Sequence, residues 1–295
     1  MFQALVLSGG SFKGISYIGI FRKLEETGIR PNIQTISACS VGTIFGLLWI
    51  LGFQSGEMQQ IIQKYNFAKL YQFNLNTLFD GFGCSDFQRV IELLTELLTL
   101  RQLSPAVTFQ QLYNYSPIRF ITNAVCLETG MVQYFDYCST PEMPVLLAIQ
   151  MSCAIPLLFP RVIYRNQTYI DGGVLDHLPL ECLNNPTSEI LCINLSENLE
   201  RQNLTTFSGY LMSVIKLMTN RLNETSHLVS PEYYVLRIHV PINLLDMLID
   251  SQQLIDLIDS GYQQTTYYFA LWKIKYNLIF PCDQPKKVLI GLKFK

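Results

Sequence analysis

A serine flanked by small residues, Ala38-Cys39-Ser40-Val41-Gly42, stands where an apolar, β-branched run meets a long apolar segment. That is the pattern of a strand turning sharply into a buried helix, and such a bend can present a serine hydroxyl as a nucleophile. A neutral hydroxyl attacks an ester only when a base takes its proton, and the intermediate needs donors for its oxyanion. Two other stretches carry groups of those kinds: Ser8-Gly9-Gly10-Ser11-Phe12-Lys13-Gly14 and Asp171-Gly172-Gly173. Glycines ahead of a helix expose backbone N–H groups beside its positive end, which suits an oxyanion or a phosphate. The same loop also reads as a plain strand-to-helix turn, Ser40 as an ordinary helix N-cap and Asp171-Gly172 as a hairpin turn.

Several rival chemistries fit poorly. Gly9, Gly10 and Gly14 do not spell G-x-G-x-x-G, and Lys13 precedes the last glycine, where a P-loop lysine would follow it. An α/β-hydrolase triad runs Ser, Asp, His along the chain, and His227 or His239 would satisfy that order. That fold places its nucleophile after several strands, however, whereas Ser40 follows a single earlier strand candidate. All three histidines are therefore expected to be non-catalytic, with His177 a loop or helix-start residue.

The elements that must position these groups alternate between strand and helix. Ala4-Leu5-Val6-Leu7 is a buried strand entering the glycine turn, and a helix fits 15–27 with Gly28 as its stop. A strand leads to Ser40, and the helix over 43–51 is apolar on every side, so it belongs in the core. Helices are expected over 57–65, 86–100, 144–153, 206–218 and roughly 244–274, with a Thr108-to-Gln111 capping box between the second and third. Strands are expected over 118–125, 131–135, 162–164, 168–170, 189–194 and 234–238. No repeat, low-complexity tract or linker interrupts the chain. One domain is expected over 1–295, with a core about 4–184 and the strands and helices of 185–295 packed on it.

Composition narrows the function classes. At 49% hydrophobic and 15% charged, the chain is too apolar for a disordered protein. With a net charge of -2 and no Lys/Arg cluster, nucleic acid is not an expected partner. The eight cysteines form no C-x-x-C pair, so neither a zinc site nor a disulfide framework is indicated. No basic, apolar leader opens the chain, and the apolar runs 44–53 and 145–159 fall short of the roughly 18–20 residues a helix needs to cross a bilayer. The expectation is a reduced, cytoplasmic protein without signal peptide or transmembrane helix. The apolar segments 210–218 and 267–274 are candidates for peripheral membrane contact, and core packing explains them equally well.

Taken together and in order, the three loops resemble the patatin-like phospholipase family over about residues 5–183. The Thr108–Tyr113 segment, the Glu128-Thr-Gly130 turn, the Ser152-Cys-Ala-Ile-Pro156 stretch and Phe159-Pro160 share the likeness. The resemblance implies a three-layer α/β/α fold with a mostly parallel central sheet, and a lipid acyl hydrolase of phospholipase A or lysophospholipase type. It implies Ser40 as nucleophile, Asp171 as base, and backbone amides of Gly9, Gly10 and Ser11 as the oxyanion hole. Lys13, Gly14, Ala38, Gly42, Gly172 and Gly173 complete the supporting motifs. Ser11 stands where a third glycine is usual and Ala38 where the elbow has its first. The substrate would be a phospholipid or another acyl lipid, hydrolysed without metal or other cofactor; an activating protein partner is not visible in the sequence. The alternative is a catalytically weak or silent lipid-binding module on the same fold.

Overall fold

The computed structural model describes residues 2–64, 81–196, 213, 234–240 and 250–276. The strands are β1 (Ala4–Leu7), β2 (Thr35–Ala38), β3 (Arg119–Cys126), β4 (Met131–Phe135), β5 (Val162–Tyr164), β6 (Gln167–Asp171), β7 (Ile190–Ser196) and β8 (Tyr234–His239). The helices are α1 (Ser16–Glu26), α2 (Val41–Ile50), α3 (Ser55–Lys64), α4 (Gln88–Leu100), α5 (Phe109–Tyr115), α6 (Val145–Ser152) and α7 (Ser251–Tyr276). Nearly all of the helix expected over 206–218, the first residues of that expected over 244–274, and His227 lie outside the described residues.

All eight strands form one sheet. β8, β7, β1, β2 and β3 run parallel to their neighbours in that order, while β4 and β6 pair antiparallel with β3 and β5 pairs antiparallel with β6. Strands buried on both faces are expected to be continuously apolar, and β1 is buried at all four positions. Leu5 and Leu7 belong to the larger core, with the residues of α1, α2, α3 and α7. Ala4 and Val6 face the other way, against Leu178, Leu180 and Leu183.

β3 is the strand that shapes the site. β2 pairs with its first half, from Arg119 to Thr122, and ends there with Ala38 opposite Thr122. β4 pairs with Thr122 to Cys126, so Thr122 has β2 on one edge and β4 on the other. β6 pairs with Ala124 to Cys126 and must therefore lie on the edge β2 has vacated, running the opposite way. The carboxyl ends of β2 and β6 consequently meet head to head along one edge of β3. The β5–β6 hairpin turns at Arg165 and Asn166, both with positive φ (49° and 60°), the twist that a two-residue hairpin requires.

The long helix α7 lies against α1 at a glycine crossing. A methyl group on Gly19 would stand 1.8 Å from the Ile258 carbonyl oxygen, and one on Gly261 would stand 2.3 Å from that of Ser16. Near the crossing, Phe21 meets Phe45 and Trp49 edge-to-face and Tyr17 lies tilted against Phe45, with the Arg30 guanidinium 4.5 Å over the Trp49 ring. Arg30 also bonds Glu25 and the carbonyls of Trp49 and Phe53, so its charge is fully partnered. Toward the other end of α7, Phe269 and Trp272 are buried and Trp272 packs on Tyr234 and Phe2, while Tyr267 is exposed. Phe269 and Trp272 of this segment thus serve the core.

Gly56, near the start of α3, has open space where a side chain would go. Gly19→Ala is expected to lower stability by about 3 kcal/mol or more, because backbone must move to admit the methyl. Gly56→Ala should be neutral or raise stability by up to ~1 kcal/mol. Chemical denaturation of the two variants beside the parent chain checks the pair.

Candidate active site

Ser40 occupies the step between β2 and α2, in the N-cap position, yet its side chain makes no capping bond. Its backbone has φ 51° and ψ -128°, a conformation that costs a non-glycine residue roughly 1–3 kcal/mol and persists only when neighbours hold it. They do. The Ser40 N–H donates to Ser152 Oγ at 2.9 Å, and the Ser40 carbonyl accepts from the Thr43 hydroxyl at 2.6 Å and the Thr43 N–H at 2.8 Å. The helix can begin this abruptly because residue 42 is glycine: a methyl there would lie 2.7 Å from the carbonyl oxygens of Leu7 and Ser8. Ala38 is the last residue of β2 and fully buried, so its methyl is packed within a strand. Gly14 lets the glycine loop close on the elbow, since a methyl there would come within 2.4 Å of the Val41 side chain.

The Ser40 hydroxyl points to Asp171 and donates to Oδ2 at 2.6 Å. Asp171 ends β6 at the head-to-head junction, and its N–H donates to the Ala154 carbonyl at 2.9 Å. Its other oxygen, Oδ1, accepts from the Gly173 N–H at 2.7 Å. Gly172 makes that turn feasible, because a side chain would strike Asn123 Oδ1 at 2.3 Å. Asn123 in turn donates to the Asp176 carbonyl, and Tyr134 donates to the Asp176 carboxylate at 2.7 Å, which ties the turn to the sheet. Burial raises the Asp171 carboxyl from 3.8 to about 6, with the Ser40 and Gly173 hydrogen bonds pulling the other way. Burial also pushes the neighbouring thiols of Cys39 and Cys153 up, so both stand beside the carboxylate as neutral S–H groups.

The glycine loop leads into a short 3-10 turn at Ser11–Ile15, where the sequence alone suggests a plain loop. The carbonyls of Ser8, Gly9 and Gly10 are all spoken for. Tyr17 donates to the Ser8 carbonyl at 2.8 Å, Ser8 Oγ to the Gly9 carbonyl at 2.9 Å, and the Lys13 N–H to the Gly10 carbonyl at 3.0 Å. The Gly9 N–H is also engaged, donating to the His177 carbonyl at 3.3 Å. Gly10 is different: no hydrogen bond among the described residues engages its N–H. A methyl on Gly9 would lie 3.2 Å from the Ser40 Cβ, so the loop backbone runs directly beside the elbow. Ser11 has φ 51°, a left-handed backbone, which is the physical reason a glycine suits that position better. Lys13 is buried against the same loop.

The structure thus brings the elbow, the glycine loop and the Asp171 turn to one place at the ends of β1, β2 and β6, while His239 ends β8. It also adds two that spacing could not reveal. Ser152 ends α6 and reaches Ser40 across 112 residues of sequence. His177 lies in a loop, as expected, but its ring packs on Gly9 and Gly173, 3.1 Å and 3.4 Å from where their methyl groups would be. Among the described residues no group of three or more His, Cys, Asp or Glu side chains is placed to hold a metal ion, and no helix is long and apolar enough to cross a membrane.

Comparison with known proteins agrees with this architecture. The chain is 28% identical over 186 residues to the probable lipid hydrolase 463L of Invertebrate iridescent virus 6, the alignment covering 61% of this chain and 62% of that one. The chain therefore spans a little under two thirds of that relative. It is 24% identical over 273 residues to the uncharacterized protein R571 of Acanthamoeba polyphaga mimivirus, covering 87% and 90%. Among solved structures, VipD from Legionella pneumophila superposes with a TM-score of 0.59 at 15% identity over 92% of this chain and 67% of that one, a likeness of fold. The family model for patatin-like phospholipase matches residues 5–183, a span that holds the elbow, the glycine loop and the Asp171 turn. The chain belongs to the patatin-like phospholipase family.

Proposed function

We propose that this protein hydrolyses carboxylic esters of acyl lipids through a Ser40–Asp171 dyad and an acyl-enzyme. The observation that carries the reading is the 2.6 Å contact from the Ser40 hydroxyl to a buried carboxylate, made by a serine in a strained elbow. Family membership and the lipid-hydrolase name of the iridovirus relative support the substrate class.

The chemistry follows from the geometry. Ser40 Oγ attacks the ester carbonyl carbon while its proton passes to Asp171 Oδ2. The carbonyl oxygen gains the negative charge and faces the glycine loop, where the Gly10 N–H has no other partner among the described residues. Collapse breaks the bond to the leaving oxygen, which takes the proton from Asp171 and departs as the alcohol. Water then gives a proton to the Asp171 carboxylate as its oxygen attacks the acyl-Ser40 carbonyl. A second collapse frees the fatty acid and returns the proton to Ser40. An ordinary aspartate, with a pKa near ~3.9, is a weak base for this work. Burial that lifts it to about 6 makes it a better one while leaving it ionised at pH 7.

Hydrolysis of a panel of defined phospholipids, lysophospholipids and glycerides, followed by mass spectrometry, tests the reading and identifies the preferred class. Ser40→Ala should lower the rate at least ~10³-fold and Asp171→Asn at least ~10²-fold, with both proteins folded. A parent chain that binds vesicles of these lipids but cleaves none would instead support the silent module. The pH dependence has a fixed sign: kcat/KM should rise about tenfold per unit below pH 6 and level off above it, as Asp171 ionises. Stability should move the other way. A carboxyl whose folded pKa lies above its unfolded one favours the fold below pH ~4 and loses that contribution as pH rises through about 6. Asp171→Asn should therefore be at least as stable as the parent at pH 7, by up to ~3 kcal/mol, in thermal melts across pH 4 to 8.

A further inference from the structure

The C-terminal turn of α6 touches both members of the dyad, at three successive residues. Ser152 Oγ accepts the Ser40 N–H at 2.9 Å, Cys153 Sγ lies 3.9 Å from the hydroxyl of Thr43, which itself holds the Ser40 carbonyl, and the Ala154 carbonyl accepts the Asp171 N–H at 2.9 Å. One rigid turn thus grips the elbow on one side and the end of β6 on the other. Ser152 is fully buried, and the only hydrogen-bond partner of its hydroxyl among the described residues is the Ser40 amide. A buried hydroxyl is costly unless it is bonded, and an apolar residue would fill this place at the end of an apolar helix with no such cost. Its presence is explained by the one bond it makes.

We infer that Ser152 is a positioning residue: its hydroxyl holds the backbone of Ser40 in the elbow conformation and so keeps Ser40 Oγ in register with Asp171. The inference rests on the proposed role of Ser40 as nucleophile. Without Ser152 the Ser40 N–H is buried and unpaired, and the backbone conformation at φ 51° loses one of the three bonds that hold it. A small shift there separates Oγ from Oδ2, and a misplacement of ~1 Å at a reacting centre costs about 10²-fold. Binding of the ester is not affected, because Ser152 lies behind the elbow in the core, away from any surface.

The test compares the parent chain with Ser152→Ala, Ser152→Thr and Ser40→Ala, measuring the labelling rate by a fluorophosphonate probe, kcat and KM on a p-nitrophenyl ester, and the thermal melt. Ser152→Ala is expected to melt cooperatively, to label and turn over ten- to a hundredfold more slowly, and to keep KM within about twofold. Ser152→Thr, which keeps the hydroxyl, should recover most of the lost rate. A folded Ser152→Ala that labels at the parent rate overturns the inference, as does a loss that appears in KM alone or that threonine fails to recover while folded. Should Ser152→Ala not fold, Ser152→Cys, with a poor acceptor of similar size, replaces it and is read in the same way. The two readings fail differently. If the parent chain labels independently of Ser40, the dyad itself is wrong and the inference falls with it; if labelling needs Ser40 but ignores Ser152, only the inference falls.

Discussion

The hydrogen bond between Ser40 and Asp171 joins residues 131 positions apart, and the topology of β3 makes it possible. β3 is longer than the parallel strand beside it, so β2 covers only its first half and leaves an edge for β6 to fill from the opposite direction. Two strand ends then face each other across a short gap, each carrying one polar side chain. Nothing in the purely parallel part of the sheet could do this, since parallel neighbours end side by side. The α6 turn and the Asn123–Asp176 contacts then hold the two ends at bonding distance.

The site is expensive for the fold. Asp171 is almost wholly buried with no cation bonded to it by any described contact, and its ionised form is held by a hydroxyl, a backbone amide and the Cys39 thiol, a weak donor at 3.9 Å. Ser40 is strained and Ser11 has a left-handed backbone that a serine adopts less readily than glycine. Such features persist because the surrounding core is large: α1, α2 and α7 pack on the sheet face of Leu5 and Leu7 through aromatic contacts and the Gly19–Gly261 crossing. The same constraint explains why small residues surround the elbow. Gly42 and Gly172 each sit where a methyl would strike a main-chain carbonyl or an amide, so their identity answers close packing.

Much of this was legible in the sequence. The β1 strand, the buried α2 helix, the Thr108–Gln111 capping box and the β3–β4 pairing follow from apolar runs, capping residues and turns, which are local. The three loops were recognisable because each needs small residues in a fixed order. Three things were not legible. The shared edge of β3 is a matter of which strand ends where, and strand ends are decided by tertiary pairing. The backbone of Ser11 is left-handed, although its amino-acid type gives no hint of it. The Ser152–Ser40 and His177–Gly9 contacts join chain segments more than a hundred residues apart, and neither spacing nor residue type announces them.

The most direct measurement is the location of a covalent fluorophosphonate adduct by peptide mass mapping, in the parent chain and in Asp171→Asn. One adduct is expected, on Ser40, formed readily in the parent and at least ~10²-fold more slowly when Asp171 can no longer accept a proton. An adduct on another residue, or equal labelling of Ser40 in both proteins, would contradict it.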